Sequence, residues 1–588
     1  MQRTLIASLD KNNLDKEVSV SGWVENIRDH GGVIFIDLRE GLDIFQIVIE
    51  PQNKEIFSIA ETIRNEYVIQ VSGIICLRPE GTINKKMKTG EIELNSSDLE
   101  ILSKSKPMPF QLDDHVKVGE ETRLKYRYLD LRRSDMQENL RLRSKINTVV
   151  RNFLTNSDFI DIETPMMTKA TPEGARDFVI PSRLNHGSFY ALPQSPQLFK
   201  QLLMISGFGK YFQIVRCFRD EDTRKDRQPE FTQIDIEMSF TSSEEIMNLA
   251  EGLVKSVFKE TIGKEFDEFP IITYEDAIKN YGSDKPDLRN PLVLKDVKDI
   301  FSNSEFKVFG DPAKDAKSRL VALKISDSLT RSQLDEYTKF VGNYGAKGLA
   351  YIKVNDSKDL VSGLQSPILK FLSSDEIKNL SEKLNFTSGD TIFFGAGHKK
   401  IVNESMGALR EKLGLDLNLI DINAWAPLWI KDFPVFDEGL DGSLTPSHHP
   451  FTRTSDSLEI LENSPEDAIA EAYDLVINGY ELGGGSMRIH DSNEQRKILS
   501  ILGIDEKEAE QKFGFFLEAL DYGCPPHGGI AFGMDRLAML ICNEDSIRDV
   551  IAFPKTQSAY CLMTDAPSLI SDEELKELSI KNIFKTKD

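Results

Sequence analysis

The chemistry in this chain is concentrated in a few polar groups set on strand-like sequence. The stretch YFQIVRCFRDEDTRKDRQPEFTQIDIEMSF, residues 211 to 240, holds two alternating runs, Tyr211 to Arg219 and Phe231 to Met238, joined by a charged segment. That pattern predicts a long hairpin with a polar tip. Alternation puts Thr232, Ile234, Ile236 and Met238 on one face and Phe231, Gln233, Asp235 and Glu237 on the other. The first face is expected to pack and the second to be wet. A wet face with two acids and a ring, beside a strand ending in Arg219, suits a ligand that is partly planar and partly phosphate. The plainer alternative is an exposed ribbon with solvated charges. Further along come His448-His449-Pro450-Phe451 in a Pro/Ser-rich loop, an apolar strand over 468–478 bearing Asp474, and Glu481 leading into Gly483-Gly484-Gly485-Ser486-Met487-Arg488. Gly528 to Leu537, GGIAFGMDRL, reads as a strand turning through Gly533 into a helix that opens at Asp535-Arg536, where helix-terminal N–H groups and an arginine can meet phosphate.

The elements that position these groups follow from pattern and length. At 588 residues the chain predicts three or four domains, each able to bury its own core. A net charge of −23 excludes a protein that coats nucleic acid through bulk electrostatics, so nucleic-acid contact must be local. Five scattered cysteines without a CxxC pair suggest neither a disulfide framework nor a thiolate zinc site and fit a reducing cytoplasm. No apolar run approaches the roughly 20 residues of a bilayer span, and no targeting segment is visible. Short strand candidates from Val18 to about Ile101, interrupted by a helical patch over Glu55 to Arg64, predict an OB-type barrel. Its expected binding face displays Arg28, Phe35 and Gln46, a cation, a ring and an amide suited to unstacked bases. Lys106-Pro107-Met108-Pro109 and the charged stretch Asp113 to Arg133 read as a hinge. An amphipathic helix is expected over Asn139 to Leu154, then a short strand ended by Pro165 and a turn-rich segment containing Glu173. Strands SRLVALKIS, GLAYIKVN and DTIFFGAG, with helices near Asp335 to Tyr344 and Glu404 to Leu413, predict an inserted α+β domain of unreadable function.

Taken with their order, these segments resemble the class II aminoacyl-tRNA synthetases, and within them the bacterial-type aspartyl-tRNA synthetases, over essentially the full length. FIDIETPMMTKATPEGARDF is similar to the first class motif with its dimer-forming helix and strand, the hairpin to the second, and GGIAFGMDRL to the third. The resemblance implies an α+β protein: an antiparallel catalytic sheet, an N-terminal OB-fold barrel and an inserted α+β domain. The implied domains are an anticodon-binding barrel at 1–106, a hinge at 107–135, catalytic parts at 136–287 and 422–565 around the insertion at 288–421, and a C-terminal extension at 566–588.

The resemblance also implies roles. Arg219 bridges the α-carboxylate of aspartate and the α-phosphate of ATP, with Glu221 and Arg536 completing the catalytic set. Asp220, Glu221, Gln228, Phe231, Glu481, Gly533, Met534, Asp535 and Arg536 meet ATP, with Phe231 and Arg536 sandwiching adenine. Asp474 and Glu481 hold Mg2+, since hard oxygen ligands suit that ion. Lys200 and Arg488 grip the side-chain carboxylate with Asp235 orienting them, while Glu173, Ser195, Gln197, His448 and His449 meet the α-ammonium or close over it. Two donor-only cations leave the amide of asparagine facing donors, so aspartate is selected.

The loops holding His30 and Gly81 resemble those of enzymes that charge both the aspartate and the asparagine tRNA. Implied partners are therefore ATP, L-aspartate, both tRNAs, a second copy of the chain, and a tRNA-dependent amidotransferase downstream. The alternatives are a discriminating enzyme specific for the aspartate tRNA, an asparaginyl or lysyl relative, against which Lys200 with Arg488 argues, and a non-catalytic OB-fold paralogue.

Overall fold

The computed structural model describes residues 3–112, 117–171, 174–439, 442–456 and 458–583. These divide into two compact units, one of residues 1–145, 223–226 and 542–569, the other of residues 146–222, 227–541 and 570–588.

The first unit is built on a closed barrel in which Glu17–Asp29 pairs with Ile34–Glu40, that strand with Asp43–Ile49, then Ile92–Ser103 and Val68–Leu77, which returns to the first. Strict alternation drives closure: Ile36, Leu38, Phe45, Ile47, Ile69 and Val71 are all fully buried inside it. A bulge between Val24 and Asn26 bends the longest strand, and Gly73 permits a close crossing, since a Cβ there would lie 2.1 Å from the Asn95 carbonyl oxygen. The helix Lys54–Thr62 is capped by Asn53, whose side chain accepts from the Ile56 N–H.

The charged stretch expected to be a hinge is not linker-like over its second half. Short helices form at Glu120–Lys125 and Arg127–Asp130, and the second buries an ion pair: Arg127 donates to the carbonyls of Arg548, Ile551 and Ala552 and to Asp130. Charge here marks a saturated hydrogen-bond layer, because a guanidinium with five donors can satisfy carbonyls that no apolar residue could.

The second unit carries an eight-stranded sheet in the order Ile271–Thr273, Pro427–Lys431, Ala472–Ile477, Tyr480–Met487, His527–Gly533, Glu230–Ser239, Lys210–Phe218, Ile160–Asp161. Its interior pairings are antiparallel and its two edge pairings parallel. The helix Ser134–Asn156 starts a turn earlier than its apolar spacing suggests. A second helix, Ser243–Ile262, opens with a Ser242/Glu245 capping box and stops at Gly263 with φ of 69°.

Within the insertion, Leu294–Asp296, Ser318–Ile325, Thr391–His398, Ala350–Val354 and Leu364–Gln365 form a five-stranded sheet. Val321, Leu323 and Phe393 join one apolar cluster while Leu320, Ala322 and Phe394 join another, so both faces are covered. That double burial explains why these strands read as unbroken apolar runs.

Candidate functional site

The hairpin expected from sequence is present as Lys210–Phe218 and Glu230–Ser239, with Asp235 opposite Gln213 and Glu237 opposite Tyr211. The face expected to be wet is not wet. His527–Gly533 flanks the second hairpin strand, and side chains from three other elements close over its acids, leaving Asp235 and Glu237 fully buried. Lys200, from the helix Gln197–Ile205, puts Nζ 3.1 Å from Asp235 Oδ1 and 3.3 Å from Glu237 Oε2. Arg488 donates from Nε to Glu237 Oε1 at 2.9 Å and from Nη2 to Oε2 at 3.2 Å. Ser486 Oγ accepts from the remaining Arg488 Nη1, which also contacts His449 Nε2. Two acids survive burial here because two cations meet them with hydrogen bonds.

Electrostatics sort the two acids. Burial raises the Asp235 carboxyl above its ordinary range despite Lys200, whereas at Glu237 the charges of Arg488 and Lys200 outweigh burial and hold it below. Asp235 Oδ2 and Gln197 Nε2 are buried without a hydrogen-bond partner among the described residues, an acceptor and a donor available to a ligand. His449 is pushed well below its ordinary value by burial and then by Arg488, so it faces that guanidinium as a neutral acceptor.

These groups line a cavity of about 330 Å³. It brings together Ser195, Gln197, Lys200, Arg219, Asp235, His448, His449, Asp474, Glu481 and Arg488. The cavity is polarised: Lys200, Arg219 and Arg488 supply cations, while Asp284, Asp437, Asp474 and Glu481 supply acids. His448 Nε2 lies 3.0 Å from Asp474 Oδ1, and burial pushes the Asp474 carboxyl up to about 6 against the pull of that ring. Gly484 has to be glycine beside it, since a Cβ would sit 2.7 Å from Asp474 Oδ1. Arg219 lies over the Phe231 ring at 5.1 Å from its centroid.

On the barrel, Arg28 makes a two-pronged pair with Asp37 at 2.6 and 2.9 Å, and Gln46 donates to Glu93 at 2.7 Å. Phe35 is half-buried and meets the exposed His30 ring edge-on at 5.7 Å. Gly81 has φ of 90° and nothing within 4 Å of where a Cβ would stand.

Residues 119–557 match the family of class II tRNA synthetases (D, K and N), and residues 18–102 match the OB-fold nucleic acid binding domain. The chain belongs to the class II tRNA synthetases. The synthetase is 55% identical over 586 residues to the aspartate–tRNA(Asp/Asn) ligase of Legionella pneumophila strain Philadelphia 1, covering 99% of each chain, and equally to that of strain Paris. Its fold matches the asparaginyl-tRNA synthetase of Pyrococcus horikoshii complexed with asparaginyl-adenylate, with a TM-score of 0.59, 18% identity, and coverage of 95% and 98%. An aspartyl-tRNA synthetase from Entamoeba histolytica matches with a TM-score of 0.58, 19% identity, and coverage of 94% and 91%.

Several expected site residues of the synthetase have partners within the protein. Arg488 is held by Glu237, and Asp235 bonds Lys200 alone of the two cations. Asp535 accepts from the Thr232 N–H at 2.8 Å, tying the helix Met534–Ile541 to the hairpin, and the Met534 side chain is fully buried. Arg219 covers one face of Phe231, and Arg536 Nη1 bonds the Glu481 carbonyl. Glu221 is paired with Arg227 at 3.5 Å, the Asp220 N–H donates to the Arg176 carbonyl, and Gln228 is buried. Gly533 pairs with Gln233 at the strand end. Glu173 lies outside the described residues. Sequence reasoning placed Glu237 on the ligand face without giving it a partner, and it missed Asp284 and Asp437 in the cavity and Asp37 and Glu93 on the barrel. The available signal was alternation for Glu237 and Asp37; for Asp284 and Asp437 none existed. No helix among the described residues is long and apolar enough to cross a membrane.

Proposed function

We propose that this synthetase activates L-aspartate with ATP and transfers it to the 3′ end of tRNA, and that it accepts both the aspartate and the asparagine tRNA. The observation that carries the amino-acid choice is the buried Lys200–Asp235–Glu237–Arg488 cluster at one end of the cavity. Substrate carboxylate approaching Lys200 and Arg488 meets donors only; a carboxamide would turn its own N–H groups toward them. The unpartnered Asp235 Oδ2 offers an acceptor to the substrate ammonium, and Ser195 and Gln197 line the same cavity.

The α-carboxylate is already ionised, so attack on the α-phosphate needs no general base. Orientation and neutralisation are the protein's tasks. Arg219 serves both partners of that attack, and Phe231 and Arg536 serve the adenine. The acid end of the cavity would repel a triphosphate unless cations accompanied it, and the carboxylates of Asp474 and Glu481 near Gly484 suit Mg2+. Mg2+ held there would neutralise phosphate charge; Asp284 and Asp437 add to the potential that attracts it.

Strict choice at the third anticodon base, C or U, requires a group of fixed hydrogen-bond polarity. His30 can present either ring nitrogen, and Gly81 presents none, so neither penalises the wrong base. The relatives from Legionella pneumophila carry both tRNAs in their names. Aspartate on the asparagine tRNA then has to be amidated, which calls for a tRNA-dependent amidotransferase in the same cytoplasm. Exposed Ile160, Met167, Val179, Leu184 and Phe189 around the first-motif segment favour a homodimer.

The test is aspartylation of each purified transcript, compared as kcat/KM. Preferences within about ten-fold are expected, since one missing contact is worth about 1 to 3 kcal/mol. A preference above roughly a thousand-fold refutes dual charging. Absence of aspartate-dependent ATP–pyrophosphate exchange refutes the activity itself.

A further inference from the structure

One cavity of the first unit is lined by neither His30 nor Gly81. It measures about 1000 Å³ and lies where the barrel meets the chain that follows it, lined by residues of the 25–26, 39–44, 64–67, 105–112 and 132–134 segments. Its nearest lining residue to His30 along the strand Glu17–Asp29 is Asn26, four residues or about 13 Å away at 3.3 Å per residue. Five cationic and two acidic side chains line it, a net charge of +3 in a chain of net charge −23.

Part of that charge is structural. Arg39 and Arg132 share the buried Glu66, at 2.5 and 2.7 Å, and so build a rigid floor that still carries one excess positive charge. The rim is different: exposed Arg64 donates only to the main-chain carbonyls of Glu61 and Ile63, and exposed Lys106 makes no ion pair among the described residues. Neither cation is neutralised by a carboxylate. Tyr67, Met108 and Phe110, all half-buried, supply apolar and aromatic surface in the same cavity. Cations at a rim and rings within are what a phosphate with an attached base requires, the phosphate meeting the charge and the base the rings.

We propose that this cavity is a second nucleotide site, taking one nucleoside 5′-phosphate unit, supplied either as a free nucleotide or as an unstacked nucleotide of the bound tRNA. Arg64 and Lys106 meet its phosphate; Tyr67, Met108 and Phe110 meet its base. Only the tRNA source rests on the function proposed above.

The probe is uridine 5′-monophosphate, followed by saturation-transfer NMR without ATP, on the full-length protein and on the double variant Arg64→Glu/Lys106→Glu, so that any binding at the active site is common to both. Both side chains are exposed, so the variant should melt as the parent does and keep its ATP–pyrophosphate exchange. Binding of the probe that weakens ten-fold or more in the variant, with an unchanged KM for tRNA, assigns the site to free nucleotides. A raised KM for tRNA, with the slope of log KM against log salt shallower by about 1 to 2, assigns it to tRNA. If the folded variant changes neither probe binding nor the KM for tRNA, the site does not exist. Loss of exchange in the parent would refute the proposed activity and leave the free-nucleotide arm standing.

Discussion

Replacing Arg488 by Leu tests both the selectivity and the architecture of the cavity. The guanidinium makes two hydrogen bonds to Glu237 and one each to His449 and Ser486, and Glu237 is otherwise held only by Lys200. Two effects therefore separate. On the substrate side, four of the five Arg488 N–H groups are already engaged, so one charge-assisted bond to the aspartate carboxylate is lost, worth about 1.5 to 3 kcal/mol or about 10- to 100-fold in kcat/KM for aspartate-dependent exchange. On the protein side, stranding a buried carboxylate costs about 3 to 5 kcal/mol of stability. The double variant Arg488→Leu/Glu237→Gln tells them apart, because it removes the stranded charge but not the missing donor. It should recover much of the melting temperature and none of the exchange. The pH dependence carries the same signature. In the parent, Glu237 lies below its ordinary value of 4.5, so its contribution to stability is present above that pH and is lost as pH falls through the folded value. Without Arg488, burial raises Glu237, the penalty is greatest at neutral pH, and the gap in melting temperature to the parent should narrow on acidification from pH 8 to 5. Near-normal exchange in the single variant, or recovered exchange in the double, would refute the assignment of Arg488 to the substrate carboxylate.

His449 is kept neutral by burial and by Arg488, so its own ring resonances, assigned by NMR, should not titrate from pH 8 to 6; a midpoint near the ordinary 6.5 would show a freely titrating ring. Asp474→Asn should raise the Mg2+ concentration needed for half-maximal ATP binding by ten-fold or more, read by equilibrium dialysis, and an unchanged Mg2+ dependence would remove Asp474 from the metal site. Light scattering should give a dimer at micromolar concentration; a stable, active monomer would contradict the interface expected around Ile160 and Phe189.

Much of this protein was legible locally. Period-two alternation is a property of the backbone, so the barrel strands and the hairpin were readable, as were the apolar strands of the insertion, whose sheet is buried on both faces. The roles expected of Lys200, Arg219, Asp474, Glu481 and Arg488 came from the resemblance to the family, and the structure brings these five side chains to one cavity. What the sequence could not determine is whom each charge meets. Alternation correctly put Asp235 and Glu237 on one face, yet that face is dry, because Lys200 and Arg488 come from segments 35 and 251 residues away from the acids they hold. The charged run read as a hinge contains Arg127, whose carbonyl partners lie more than 420 residues along the chain. Asp284 and Asp437 enter the cavity from segments without any motif. Whether a charged side chain is solvated or buried depends on long-range partners, and the free energy of burying it, several kcal/mol per ion, changes sign with their presence. Local pattern therefore decided which elements form, and only the tertiary structure decided which of their charges face a ligand and which face the protein.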